Sequence, residues 1–133
     1  MPDIIDAAIA HPHLKTLVAA VKAAGLVDTL KSPGPFTVFA PLDSAFEKLP
    51  PGTVETLLQN IPQLSRILTY HVVPGLWRES RFQERMTLIS VEGSPLSVQS
   101  QDHFEVKNAA VVAADIELEN GIVHCIDTVL LMG

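Results

Sequence analysis

The sequence contains little cysteine and little charge. Its 133 residues include one cysteine, Cys125, so no disulfide can form within the chain. Only 18% of the residues are charged, and the formal net charge is −6. An acidic chain of this kind lacks the basic surface that binds nucleic acid or an anionic membrane. The composition therefore argues against both as partners, and we predict no binding of nucleic acid.

Long apolar runs are also missing. Residues 1–6 have neither a basic region nor an apolar run, so they do not form a secretory signal peptide. No run is long and apolar enough to span a bilayer. Either the protein stays where it is made, in the cytoplasm, or a leader has been removed. The sequence leaves both alternatives open.

Hydrophobic residues, by contrast, are plentiful. They make up 47% of the chain, which is enough for a core that needs no disulfide or metal to hold it. The length fits one domain, residues 1–133.

The first seventy residues show mainly helical spacing. A second helix follows a short first one, and its apolar residues are Leu14, Leu17, Val18 and Val21. This stripe predicts either core packing or the lining of a pocket for an apolar ligand. Residues 36–40 form an apolar strand that Pro41 ends, because proline has no N–H for a sheet. Asp43 is predicted to cap the helix that follows.

From Met86 the apolar pattern changes to a period of two, which is typical of strands. The predicted strands are residues 86–91, 96–100, 103–106, 110–114 and 122–131. Asn120 and Gly121 give the strongest turn signal, because a type I′ turn needs two residues that tolerate positive φ. Helices followed by an antiparallel meander indicate an α+β fold.

Three stretches together resemble the fasciclin (FAS1) domain family. They are GPFTVFAPLDSAF at residues 34–46, LTYHVVPG at 68–75 and NGIVHCIDTVLL at 120–131. Their order and spacing cover nearly the whole chain. One departure is Cys125, where an aliphatic residue is more usual in the family.

The resemblance implies a fasciclin-like fold, in which N-terminal helices pack on a wedge of two β-sheets. It also implies adhesion, with a location in the extracellular space, the periplasm or the cell surface. Family members often carry an Asp–Ile pair before the C-terminal stretch, linked to integrin binding in animal members, and Asp115-Ile116 occupies that place. Some fasciclin-like proteins bind apolar pigments such as carotenoids.

No stretch predicts catalysis or metal binding. His124 and Cys125 are adjacent on a predicted strand, so their side chains point to opposite faces and cannot act as a pair. His71 has no second ligand at metal spacing. We therefore predict no catalytic residue, no metal, no cofactor and no enzymatic activity.

Two pairs of residues are candidates for partner binding. Tyr70 and His71 lie at a helix-to-strand junction, where His71 either contacts a partner or is a core histidine fixed by hydrogen bonds. Asp115 and Ile116 offer a charge for steering and an apolar anchor. Alternatively, Ile116 packs inward and Asp115 caps a turn.

A third candidate surface is the irregular segment 76–85. It carries Trp77 and Phe82, with Arg78 and Arg81 beside them. Aromatic residues and arginine are common at interface centres. The alternative is a loop with half-buried anchors.

The predicted function is thus non-catalytic adhesion or interaction with a protein, matrix or cell-surface component. The alternative is a carrier of an apolar small molecule such as a carotenoid.

Overall fold

The computed structural model describes residues 3–82, 86–100, 104–107 and 109–130. Six α-helices occupy the described part of the first seventy residues. They are α1 (Ile4–Ala10), α2 (Lys15–Ala23), α3 (Val27–Lys31), α4 (Asp43–Glu47), α5 (Thr53–Leu58) and α6 (Ile61–Tyr70). A short 3₁₀ turn follows at Glu79–Arg81.

Seven strands are found in the described residues. They are β1 (Phe36–Pro41), β2 (Val72–Pro74), β3 (Met86–Ile89), β4 (Pro95–Gln99), β5 (Glu105–Val106), β6 (Ala109–Leu118) and β7 (Gly121–Ile126). Their order across the sheet is β2-β1-β7-β6-β5-β4-β3. Strands β3 to β7 form an antiparallel meander, and β7 then pairs in parallel with β1. The predicted α+β fold is confirmed.

Strand β6 joins the two parts of the sheet. Among the described residues, it pairs with β7 from Val111 to Leu118 and with β5 at Ala109 and Ala110. Two register shifts interrupt the pairing with β7, on either side of Ala113. Such bulges bend a strand and increase its twist. The strands β2-β1-β7 and β5-β4-β3 therefore form two parts that share β6.

Two predicted strand ends differ from the structure by four residues or more. Strand β6 was predicted to end at Ala114 but continues to Leu118, because its bulges break the alternation that the prediction followed. Strand β7 ends at Ile126, where the backbone bends at Asp127 and the Asp127 carboxylate accepts a hydrogen bond from the Ala110 N–H at 2.9 Å. The predicted strand residues 103 and 131 lie outside the described residues.

The central strands bury both of their faces. On β1, Val38 and Ala40 pack in a cluster with the helices, whereas Phe39 belongs to a second cluster on the other side of the sheet. On β7, Cys125 belongs to the helix-side cluster and Ile126 to the second one. The sheet thus separates two cores, and its central strands read as continuous apolar runs for that reason.

The predicted role of Asp43 was wrong in one respect. Leu42 takes the N-cap position of α4, because its extended backbone directly follows Pro41 at the end of β1. Asp43 instead accepts a hydrogen bond at 2.8 Å from the N–H of Thr16, in the first turn of α2. The carboxylate therefore caps a helix 27 residues earlier in the chain.

The hairpin between β6 and β7 also differs from the prediction. Leu118 pairs with Gly121, so the loop residues are Glu119 and Asn120, and neither has a positive φ. Gly121 is required for a different reason. A Cβ atom at this position would lie 2.0 Å from the carbonyl oxygen of Phe36, so only glycine permits β1 to approach so closely.

Candidate functional site

The irregular segment after β2 lies against the second half of β6. We call this surface the Trp77 face and define it by Trp77, Arg78, Arg81, Asp115 and Glu117. The guanidinium of Arg81 lies 4.0 Å from the centroid of the Trp77 ring. Arg78 forms an ion pair with Glu117 of β6. The structure thus brings together two candidate sites that the sequence predicted separately.

Asp115 holds the segment to the sheet. Its Oδ1 accepts a hydrogen bond from the N–H of Glu79 at 2.9 Å, which caps the 3₁₀ turn. Its backbone has φ 58°, in the left-handed region, which aspartate tolerates better than most residues. This is the capping role that the sequence analysis left open for Asp115.

His124 connects the Trp77 face to the core. Its Nδ1 accepts a hydrogen bond from the N–H of Asp115 at 3.0 Å, and its Nε2 donates one to the Trp77 carbonyl at 2.7 Å. Burial lowers the pKa of His124, against the opposing effects of the Trp77 carbonyl and Asp115. The ring is therefore held neutral, with its proton on Nε2. The sequence analysis did not predict this role for His124. The one signal for it in the sequence is the presence of a histidine inside an apolar strand.

A series of aromatic ring contacts also joins Trp77 to the core. Trp77 stacks on Phe82 with 5.8 Å between ring centroids, and Phe82 meets Phe104 at 5.5 Å. Phe104 lies edge-on to His124 at 5.0 Å. Phe82 is 0% exposed, so it anchors the segment while Trp77 stays half-buried at the surface. Only Trp77 of this aromatic pair can contact a partner directly.

Tyr70 and His71 are both 2% exposed, so neither side chain forms a surface. Nδ1 of His71 donates to the Ile67 carbonyl at 2.7 Å, and Nε2 accepts from the Leu130 N–H at 2.9 Å. Burial lowers the pKa of His71 to about 4. The hydroxyl of Tyr70 donates to the Pro95 carbonyl at 3.3 Å. For His71, the structure shows the core role that the sequence analysis gave as an alternative.

Ile116 does not share the surface of Asp115. It packs against the helix-side core cluster and lines a cavity, whereas Asp115 contacts the 3₁₀ turn. The two residues therefore do not form one epitope, and Ile116 follows the inward-packing alternative. The two residues lie where β6 is irregular: Asp115 has a left-handed backbone and reaches the 3₁₀ turn, whereas Ile116 resumes the pairing with β7 and packs toward the helices.

The cavity lies between the first three helices and the sheet. Its volume is about 80 Å³, and its lining is almost wholly apolar. The apolar stripe on α2 has both of the roles that the sequence predicted as alternatives, which are core packing and the lining of a pocket. Its four residues line the cavity, and Leu14, Leu17 and Val21 are also buried in the core.

His124 and Cys125 are separated as predicted. Cys125 belongs to the helix-side cluster, while His124 contacts Phe39 and Phe104 on the other side of the sheet. Burial raises the pKa of the Cys125 thiol.

Within the described residues, no three His, Cys, Asp or Glu side chains lie close enough to hold a metal ion. In the same part of the chain, no helix combines the length and apolarity needed to cross a membrane.

Replacement of Cys125 by alanine is expected to cost about 1 kcal/mol of stability, because a fully buried sulfur is removed and a small void remains. Any binding activity should be retained, since the thiol lies away from the Trp77 face. Urea denaturation and a binding assay on the same sample test both statements. A folded variant that no longer binds would contradict the second.

Comparisons with known proteins agree with this architecture. The Fasciclin domain model matches residues 12–132. The protein sll1735 of Synechocystis sp. is 59% identical over 133 residues, which cover 100% of each chain. The cell surface glycolipoprotein MPB83 of Mycobacterium bovis is 39% identical over 134 residues, which cover 96% of this chain and 60% of that protein.

A solved structure supports the fold. The FAS1 domain pair of the insect cell adhesion molecule fasciclin I matches with a TM-score of 0.87 over 98% of this chain and 51% of that chain. Its sequence identity is 20%, so this likeness concerns the fold alone. The predicted fasciclin-like fold is confirmed by it. Because the family model covers most of its length, the chain belongs to the fasciclin domain family.

Proposed function

We propose that this domain is a non-catalytic interaction module that binds a protein, matrix or cell-surface component outside the cytoplasm. The observation that carries the proposal is the Trp77 face, where a half-buried tryptophan lies under an arginine at the surface. The relatives add support, since one is a cell surface glycolipoprotein and a structural neighbour is a cell adhesion molecule.

The chemistry of this face suits a macromolecular partner. Tryptophan and arginine are the residues most enriched among those that dominate binding energy. Arg81 donates a hydrogen bond to the Leu76 carbonyl at 2.8 Å, which holds its guanidinium over the ring. Arg78 and Asp115 fix the same segment to β6. A segment held in this way loses little conformational freedom on binding, which favours affinity.

Replacement of Trp77 by alanine is expected to weaken attachment by about tenfold or more, the effect of removing an aromatic interface anchor. The measurement is binding of fluorescently labelled protein to intact cells of the source organism, by flow cytometry. Arg66→Ala is the matched surface control, since Arg66 lies on α6 with its side chain 63% exposed. Because Trp77 also stacks on Phe82, the melting temperature is recorded, and Arg81→Gln serves as a second variant. Equal binding by all four proteins would contradict the proposal.

Two variants of Asp115 separate its charge from its capping role. Asparagine keeps an acceptor for the Glu79 N–H and tolerates the left-handed backbone, whereas alanine does neither. If the charge contacts the partner, both variants bind less. If the residue acts only by holding the segment, only Asp115→Ala loses binding.

The second candidate function, carriage of an apolar small molecule, is favoured by the apolar cavity. Pockets that enclose drug-sized ligands usually have volumes of about 300–1,000 Å³. The cavity here is about 80 Å³, so a carotenoid would not fit inside it. This alternative therefore needs a smaller ligand, and an absorption spectrum of the protein from its native source that shows a bound carotenoid would contradict this size limit.

A further inference from the structure

The cavity between the helices and the sheet has room for a small molecule. A volume of about 80 Å³ holds on the order of five to eight water-sized groups. The walls are formed by side chains such as Val18, Val21, Val38 and Val123, so water inside would find few hydrogen-bond partners. Such a space suits a short aliphatic chain better than it suits water.

The polar residues that line the cavity include a positively charged side chain but no negatively charged one among the described residues. Lys22, in the last turn of α2, and Thr29, on α3, both line the cavity and are exposed, so the cavity meets solvent at these residues. No aspartate or glutamate is found among its described lining residues, although the chain carries a net charge of −6. His71 is buried and neutral, since burial lowers its pKa to about 4. Among the described lining residues, Lys22 is the one lysine or arginine, and its ammonium is the positive charge that the cavity can offer a ligand.

We infer that this cavity binds a short straight-chain carboxylate, with its hydrocarbon tail among the apolar side chains and its head group at Lys22. Each methylene that leaves water for the cavity contributes about 0.8 kcal/mol, which is about a fourfold gain in affinity. The ammonium of Lys22 and the hydroxyl of Thr29 supply donors for the carboxylate. This inference goes beyond the interaction role and does not depend on it.

The first experiment is a calorimetric titration of the whole chain with sodium salts of butanoate, hexanoate and octanoate. We expect one site, with affinity rising about fourfold per methylene until the tail fills the cavity. Acetate, which lacks the tail, and octylamine, which carries the opposite charge, should bind much more weakly. Absence of saturable octanoate binding, or affinity that does not depend on chain length, would overturn the inference.

A pair of lysine variants tests the head group. Lys22→Met keeps an unbranched side chain but removes the charge, and should weaken octanoate binding about three- to fivefold, the size of an exposed ion pair. It should leave the binding of the neutral probe 1-octanol unchanged. Lys15→Met is the matched control, because Lys15 is exposed on the same helix but does not line the cavity. Equal effects of the two substitutions on octanoate would overturn the assignment of Lys22.

Location of the tail is tested by filling the cavity. Val18→Phe should reduce octanoate affinity at least tenfold, because the larger ring occupies the space of the tail. Ala7→Leu, at a half-buried lining residue of α1, is the second variant should the first fail to fold. On the unaltered protein, octanoate should shift the methyl NMR signals of Val21 and Val123, whereas Val112, exposed on β6, should not respond. Shifts confined to other methyl groups would place the ligand elsewhere and overturn the inference.

Discussion

Replacement of Asn120 by alanine is expected to lower the free energy of unfolding by about 3–5 kcal/mol. The side chain is buried and makes three hydrogen bonds to the backbone of distant residues. Its Oδ1 accepts from the N–H of Ile4 at 3.0 Å. Its Nδ2 donates to the carbonyls of Leu30 at 2.7 Å and Ser32 at 2.8 Å. One amide thus joins the start of α1, the end of α3 and the start of β7.

The large effect follows from what alanine would leave behind. Buried donors and acceptors that lose their partner each cost about 1–3 kcal/mol, and three backbone groups would be affected. Urea denaturation, with circular dichroism as the readout, measures the loss. Asn60→Ala is the matched control, since Asn60 makes one exposed cap hydrogen bond of 3.4 Å and should cost no more than about 1 kcal/mol. Similar losses in the two variants would show that the Asn120 amide does not hold these elements together.

Local patterns in the sequence predicted the regular elements well. The apolar run on β1 and the helical spacing on α2 depend on residues close together in the sequence, so the sequence alone revealed both. The role of Asn120 depends on residues that are 88 to 116 positions away in the sequence. Because Gly121 follows it, the two residues were predicted to form a tight turn instead. Asp43 shows the same limit, because it caps a helix 27 residues away. Such contacts form only when the chain has folded.

The candidate site was predicted in part. Trp77 was identified from residue type and Asp115 from the family resemblance, but nothing in the sequence indicated that they belong to one surface, joined through His124. Phe82 was considered for a surface role because the apolar residues of segment 76–85 show no regular spacing. Without such spacing, the burial of a side chain cannot be predicted from the sequence. Its 0% exposure results from the stack between Trp77 and Phe104.

Acid is expected to destabilise the protein in part through His71. Its pKa in the folded protein is about 4, compared with 6.5 for an unperturbed histidine, because the ring is buried. Between these values the unfolded chain takes up a proton that the folded protein does not. Stability is therefore lost as the pH falls from 6.5 to about 4, by about 3 kcal/mol at 1.36 kcal/mol per pH unit. Below pH 4 this contribution levels off.

A variant that cannot titrate isolates this effect. His71→Gln keeps a donor and an acceptor but fits the Ile67 and Leu130 backbone groups less well, so it should be about 1–3 kcal/mol less stable than the parent at pH 7. The difference should shrink or reverse by pH 4, because only the parent carries the histidine penalty. His124 and the carboxylates titrate in both proteins and cancel in the comparison. His13→Gln, at an exposed histidine, is the matched control for the substitution itself. Urea denaturation at half-unit pH steps measures all three proteins, and a pH-independent gap for His71→Gln would mean that the ring takes up its proton without unfolding.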